Sequence, residues 1–323
     1  FVNTLLGETW QERGEAPDWE KLYARRESYP IASVPEGVIF LTEGVDLQKD
    51  RILYEVVGWC LDKQSYSIDF AVIMGEPVES GAHVVTAETW KKLDVHLLRT
   101  YPGADGRQWP VAMSAIDAGY DTQTVYNYCR HKSMSRVIAV MGVATERSLV
   151  GLPSPVDVTW KGKRHQRGYK VWPVGGAVAK SELYGLLRLP VVPDGQAYPA
   201  GYCHFPEYGV EYFKQLTSEH LVPVTKQTGH VRHEWRVLPG RENHGLDMRV
   251  YARAAASVQG LDRARPPGDA PPPERPKPEP TSPQPDDEPP REKRARKTGK
   301  GGWLDTGRGK RRGRGDWLRG RRR

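Results

Sequence analysis

Three aspartates, Asp46, Asp117 and Asp247, stand where local elements should hold their side chains rigidly. Asp46 closes the apolar run that includes Val38-Ile39-Phe40-Leu41 and Gly44-Val45. Asp117 closes Val111-Ala112-Met113-Ser114-Ala115-Ile116, and Asp247 opens the helical run Leu246-Asp247-Met248-Arg249-Val250-Tyr251-Ala252. Carboxylates at two strand ends and a helix start can converge on hard divalent cations, and oxygen ligands suit Mg²⁺ or Mn²⁺. Two such ions a few Å apart clamp the attacking and leaving oxygens of a phosphodiester. A metal-dependent nuclease is therefore the leading reading. Set against it, Asp also favours turns and helix caps for local reasons, with no site implied.

Other residues carry weaker chemistry. Lys180 opens a helical run and would meet a phosphate near a helix N-terminus, or else be a solvated lysine. Lys161, Lys163, Arg164 and Arg167 sit between two strand-like runs and suit contact with a nucleic-acid backbone, with a solvated turn as the alternative. Trp160 and Trp172 flank that segment and are read as core rather than as base-stacking platforms. His230 and His233 are three apart on a strand-like run, which puts them on opposite faces and argues against a metal pair. An HNH-type nuclease fails for the same reason, and no G-x-S-x-G elbow supports a serine hydrolase. Asp50, Asp69, Asp121 and Glu182 are assigned to the surface.

Strand-like runs cover 37–46, 52–60 and 65–72, joined by short polar connections that favour antiparallel neighbours. A helix is predicted over 86–101, with Thr86 and Thr89 as capping residues and Leu93, Leu97 and Leu98 on one face. Strand 111–117, helix 122–131 and strand 136–141 follow. Strands 156–160 and 168–173 flank the basic segment. Helices are predicted over 177–187, 208–219 and 245–259, with a hairpin of 222–225 and 233–237. Strands first, then alternation, then a closing helix indicates an α/β or α+β fold.

Of the 323 residues, 262–323 carry 19 Lys and Arg against 10 Asp and Glu, which leaves 29 against 30 for residues 1–261. The net charge of +8 thus belongs to the tail and says nothing about the body. Twelve of the 27 prolines also lie beyond Asp262. Residues 265–290, rich in Pro, Glu and Asp, are predicted to be disordered. Residues 291–323 are rich in Arg, Lys and Gly, with Trp303 and Trp317. The three cysteines, Cys60, Cys129 and Cys203, form no C-x-x-C pair, which argues against a disulfide framework or a zinc site and fits a reducing compartment. No apolar run spans a membrane and no secretory signal is expected. The chain begins with Phe1 and is read as a piece of something longer.

Several stretches of the body belong together: Phe1-Val2-Asn3-Thr4-Leu5-Leu6-Gly7-Glu8-Thr9-Trp10, Gly44-Val45-Asp46-Leu47-Gln48-Lys49-Asp50-Arg51 and Ala115-Ile116-Asp117-Ala118-Gly119-Tyr120. They continue with Lys170-Val171-Trp172-Pro173-Val174-Gly175, Lys180-Ser181-Glu182-Leu183-Tyr184-Gly185, His204-Phe205-Pro206, and Glu242-Asn243-His244-Gly245-Leu246-Asp247 with Val250-Tyr251-Ala252. They run in order through residue 258 or so. On these stretches the body resembles the nuclease domain of the lambda-type large terminase subunit of tailed phages. Two departures stand out: His244-Gly245 replaces a Glu-Ala pair, and Ser181 replaces an acidic residue. The resemblance implies a ribonuclease-H-like α/β fold of a mixed sheet flanked by helices. It implies an endonuclease that cuts concatemeric double-stranded DNA during packaging, with two Mg²⁺ or Mn²⁺ ions. Asp46 would bind both ions, and Asp117 and Asp247 would complete the sites. Implied partners are DNA, the portal and the small terminase subunit, in the cytoplasm of a bacterial host, with no membrane. Residues 1–35 would be a linker from an ATPase domain, 36–260 the nuclease domain and 261–323 the tail. No G-x-x-x-x-G-K-[ST] motif is present, so ATP hydrolysis is not expected of this chain. The rival functions are a non-catalytic DNA- or portal-binding module and a resolvase-like nuclease acting on branched DNA.

Overall fold

The computed structural model describes residues 16–144, 146–193, 195–225 and 231–264. The expected tail, with Trp303 and Trp317, and the first ten-residue matching stretch lie outside the described residues, as does His230.

Helix α1 (Trp19–Ala24) starts at Asp18, whose carboxylate accepts from the Glu20 and Lys21 amides. Strands β1 (Phe40–Leu47), β2 (Arg51–Trp59) and β3 (Ser65–Met74) follow, joined by tight connections. A short pair, β4 (Glu76–Pro77) and β5 (His83–Val84), leads to α2 (Ala87–His96). Then come β6 (Thr100–Pro102), β7 (Gln108–Asp117), α3 (Thr122–Cys129) and β8 (Val137–Gly142). Strands β9 (Ser154–Trp160) and β10 (Lys163–Val174) form a long hairpin. Helix α4 (Gly176–Leu187), β11 (Cys203–His204), α5 (Val210–Leu216), the hairpin β12 (Glu219–Thr225) and β13 (Val231–Val237), and α6 (His244–Gln259) complete the order.

The main sheet runs β11-β3-β2-β1-β7-β8-β10-β9, with β6 added to β7. β1, β2 and β3 are antiparallel neighbours, whereas β1, β7, β8 and β10 lie parallel to one another. Parallel neighbours need crossover connections, and α3 makes the one between β7 and β8. The expected α/β architecture, a mixed sheet flanked by helices, is the one found. One face carries Val45, Ile116 and Ala139 against Leu93 of α2 and Val125 of α3. The other carries Met113, Ala115 and Val140 against α4, α5 and α6 through Leu183, Phe213 and Val250.

The period-two alternation of β1 decides which residues meet α6. Thr42, Gly44 and Asp46 share one face. At Gly44 a Cβ would come within 1.9 Å of the Met248 carbonyl oxygen, so the helix backbone lies directly on the strand. The Thr42 hydroxyl donates to the Ala252 carbonyl at 2.7 Å and accepts from the Trp59 indole at 2.8 Å. A buried pair, Arg249 to Glu55 at 2.8 Å, ties the same helix to β2.

Three expectations need correction. The helix predicted over 86–101 ends at His96, because Leu98 and Arg99 turn back onto the carbonyls of Val95 and His96 and residues 100–102 pair with β7. Leu98 is consequently exposed, while the Thr86–Thr89 capping box is present as expected. The helix predicted over 208–219 stops at Leu216, and Glu219 opens β12 instead. Asp69 is not at the surface: it is buried, bonded by Arg99 at 2.9 Å and by the Tyr101 hydroxyl at 3.2 Å.

Candidate metal centre

The register places the first two acids side by side. Val45 pairs with Ile116 in the parallel β1–β7 ladder, so Asp46 and Asp117 follow as the next residues on strands about 4.8 Å apart. Both point to the α6 face, by alternation from Gly44 and Ala115. The Gly44 contact then sets the third. Met248 lies over Gly44, so Asp247, in the first turn of α6, comes down beside Asp46. The sheet and helix thus bring Asp46, Asp117 and Asp247 to one place at the C-terminal edge of the parallel strands.

Each acid has defined partners. Asp46 Oδ2 accepts from Gln48 at 2.9 Å and faces His244 Nδ1 at 2.7 Å. Asp117 Oδ1 accepts from the Gly119 amide at 3.1 Å, and the Tyr251 hydroxyl also donates to Asp117. Asp247 Oδ2 accepts from Asn243 at 2.7 Å, and its Oδ1 lies 3.1 Å from the Lys180 ammonium. A further carboxylate enters here. Glu219, at the start of β12, accepts from Lys180 at 2.6 Å and from Asn243 at 3.0 Å.

The charges are felt between groups. Burial pushes the Asp117 carboxyl up to about 6, and the Asp46 and Asp247 charges add to the effect against the Tyr251 and Gly119 hydrogen bonds. Burial likewise raises Asp247 to about 6, opposed by Lys180 and reinforced by Glu219 and Asp46. His244 is raised above its ordinary value, first by its hydrogen bond to Asp46. Burial acts to lower Lys180, but Asp247 and Glu219 outweigh it and hold the ammonium charged. The Tyr251 phenol is raised well above its usual range by burial and by the three aspartates. These shifts describe a concentration of negative charge offset by the Lys180 ammonium, with His244 drawn toward its protonated form.

Hard oxygen donors of this kind fit Mg²⁺ or Mn²⁺ rather than a softer metal. As the side chains are placed, no three His, Cys, Asp or Glu among the described residues are gathered closely enough to hold one ion. Lys180 and His244 stand among the acids, and closing on a cation requires the carboxylates to turn from them.

The other sequence candidates lie elsewhere. Lys161, Lys163, Arg164 and Arg167 are exposed on the β9–β10 hairpin. Lys161 and Arg167 both have positive φ, and Asp157 holds the Arg164 guanidinium and the Arg167 amide. Trp160 is exposed rather than core, with the Lys161 ammonium 5.8 Å from its ring, whereas Trp172 is buried as expected. Lys180 is not a solvated lysine but a buried member of the centre. Asp121 caps α3 at the surface, and Glu182 pairs with Arg253. Sequence reasoning missed Glu219, Asn243 and Tyr251 as members of the site. Glu219 was hidden because it read as the end of a helix. Asn243 and Tyr251 flank Asp247 at helical spacing, four residues either side, which is a signal that could have been used.

The family model for the terminase large subunit gpA endonuclease domain matches residues 1–266. The chain belongs to this family. The large terminase subunit of Enterobacteria phage P21 is 33% identical over 263 residues, covering 80% of this chain and 38% of that protein. The large terminase subunit of Escherichia phage lambda is 32% identical over 264 residues, with the same coverage. The chain therefore spans well under half the length of the curated relatives it matches. Among solved structures, the large terminase nuclease from thermophilic phage G20c aligns with a TM-score of 0.35 and 10% identity, over 67% of this chain and 81% of that one. For this terminase endonuclease domain the positions that carried the resemblance in sequence, around Asp46, Asp117 and Asp247, are those that the fold assembles at one edge of the sheet.

Proposed function

We propose that this chain is a divalent-cation-dependent endonuclease that cuts concatemeric double-stranded DNA during phage genome packaging. The observation that carries the reading is the meeting of Asp46, Asp117 and Asp247 beneath the first turn of α6, in a chain of the terminase endonuclease-domain family. The Asp46 charge is felt by both Asp117 and Asp247, and Asp46 would be shared by two ions, with Asp117 and Asp247 completing the sites. When bound, Mg²⁺ or Mn²⁺ would supply Lewis-acid stabilisation of the attacking and leaving oxygens at phosphorus.

The chain's own groups prepare that event. The β1–β7 register fixes the spacing of Asp46 and Asp117. Tyr251 and the Gly119 amide orient Asp117, and Asn243 orients Asp247. His244, on Asp46, is placed to take up or release a proton at the edge of the centre. Lys161, Lys163, Arg164 and Arg167 present positive charge from the β9–β10 hairpin to the DNA backbone, and Lys180 would meet a phosphate from within the centre. DNA, the portal and the small subunit are the proposed partners, in the host cytoplasm. ATP hydrolysis is not proposed for this chain. No helix among the described residues is long and apolar enough to cross a membrane.

The test is cleavage of supercoiled plasmid with Mn²⁺, Mg²⁺ or EDTA. Nicking or linearisation with either cation and none with EDTA supports the reading. A non-catalytic DNA- or portal-binding module draws on the ion pairs Lys180–Asp247 and His244–Asp46, which leave the acids paired within the protein. That alternative predicts DNA binding without cation-dependent cutting. Preference for branched over linear duplex would instead indicate a resolvase-like enzyme.

A further inference from the structure

Lys180 and Glu219 come from different elements yet are fixed to each other. Tyr184, one turn after Lys180 on α4, accepts from the Glu219 amide at 3.2 Å and donates to the Glu219 carbonyl at 2.9 Å. The start of β12 is thereby pinned to the face of α4 that carries Lys180. The Lys180 ammonium stands 2.6 Å from Glu219 and 3.1 Å from Asp247, and both side chains of the Lys180–Glu219 pair are largely buried. Asn243 spans the same two acids from the other side, 3.0 Å from Glu219 and 2.7 Å from Asp247.

We infer that Lys180 is an internal place-holder cation for the Asp247 side of the centre, and that Glu219 is the positioning residue that keeps it there. This rests on the proposed cation-dependent reading. The ammonium stands 3.1 Å from Asp247 Oδ1, an oxygen donor that an arriving cation needs, and two cations so close to each other repel. A divalent ion arriving at Asp247 must therefore displace the ammonium from it. Glu219 retains the displaced ammonium, because it is the nearer partner and its backbone is locked by Tyr184. Lys180 then stays beside the centre as a charge available to a phosphate. Glu219 acts through Lys180 and is not itself a ligand. Without the place-holder, Glu219 and Asp247 would lie close together without the ammonium that offsets them, a costly state.

The experiment is Mn²⁺ titration by calorimetry at pH 7.5 on the whole chain, with thermal melting as a folding control. Lys180→Met removes the competing charge at similar volume and should tighten Mn²⁺ binding roughly tenfold, whereas Lys180→Arg should stay near native. Glu219→Gln leaves Lys180 to Asp247 alone and should weaken binding by about tenfold. In the Lys180→Met background the same Glu219→Gln change should move affinity by no more than about threefold, since a residue acting through another loses its effect when that other is gone. If Lys180→Met alone does not fold, the Lys180→Met/Glu219→Gln double variant must bind more tightly than Glu219→Gln. Unchanged or weaker binding in Lys180→Met overturns the inference. Equal loss from Glu219→Gln in both backgrounds makes Glu219 a ligand and also overturns it. No Mn²⁺ binding by the native chain removes the proposed function, and the inference with it.

Discussion

At the scale of single residues, charge decides what each acid can do. The Asp46 charge acts on both Asp117 and Asp247, so its loss should remove the most. Asp46→Asn keeps the shape and loses the charge. It should lower Mn²⁺-dependent plasmid cleavage by at least about a hundredfold while circular dichroism stays native; full activity would eliminate the mechanism. The raised carboxyls make a second prediction. Asp117 and Asp247 each sit near 6 in the folded chain against an ordinary value of 3.8. The folded state therefore holds more protons than the unfolded state between about pH 4 and 6. Any stabilisation from these groups is fully present below the unfolded value and is lost as pH rises through 6. Without metal, Asp117→Asn should accordingly gain stability relative to the native chain on going from pH 4 to pH 7.5. The relative gain is of order 1–3 kcal/mol, read by urea unfolding at both pH values. No relative gain would mean that the carboxyl is not strained by burial and its neighbours. The three aspartates were legible in the sequence because each ends or opens an apolar run. Glu219 was not, since its role depends on where β12 begins, and one residue type at a helix–strand boundary does not decide that.

At the scale of elements, the centre depends on how closely α6 lies on β1. Gly44→Ala would drive a Cβ into the Met248 carbonyl and the Ala252 amide, both backbone groups that cannot rotate away. The variant should lose about 3 kcal/mol or more, since overpacking against backbone forces the helix to shift. Cation-dependent cutting should fall further than the loss of folded protein explains, because Asp247 moves with the helix. Native stability in this variant would show that the contact is looser than described. The antiparallel neighbours β1, β2 and β3 were readable from apolar runs and short polar connections, and β7 and β8 were readable as strands from their apolar runs. The ends of α2 and α5 were not, because Leu97 and Leu98 continue the apolar pattern past the point where pairing of Thr100–Pro102 with β7 takes over. The chain length of β10 was hidden too, since its first half, residues 163–168, is polar and exposed.

At the scale of the whole molecule, positive charge is concentrated after the body. Leu261 is buried and Asp262 bonds Arg253 at 2.7 Å, Ser257 at 2.7 Å and Lys63 at 2.9 Å, so a truncation that spares these contacts begins at 265. Deleting 265–323 should weaken DNA binding at low salt and flatten its salt dependence, because fewer phosphates are neutralised and fewer counterions released. Cutting chemistry should persist at saturating DNA. Equal binding across a salt titration would give the tail another role. In the proposed function Asp46, Asp117 and Asp247 together hold the cation. Anomalous diffraction from crystals soaked in Mn²⁺ tests it most directly. Manganese peaks bounded by these three carboxylates are expected, with Lys180 turned away from Asp247. Manganese bound only elsewhere, or the three acids still paired to Lys180 and His244 in crystals of a protein that cuts DNA with Mn²⁺, would contradict it.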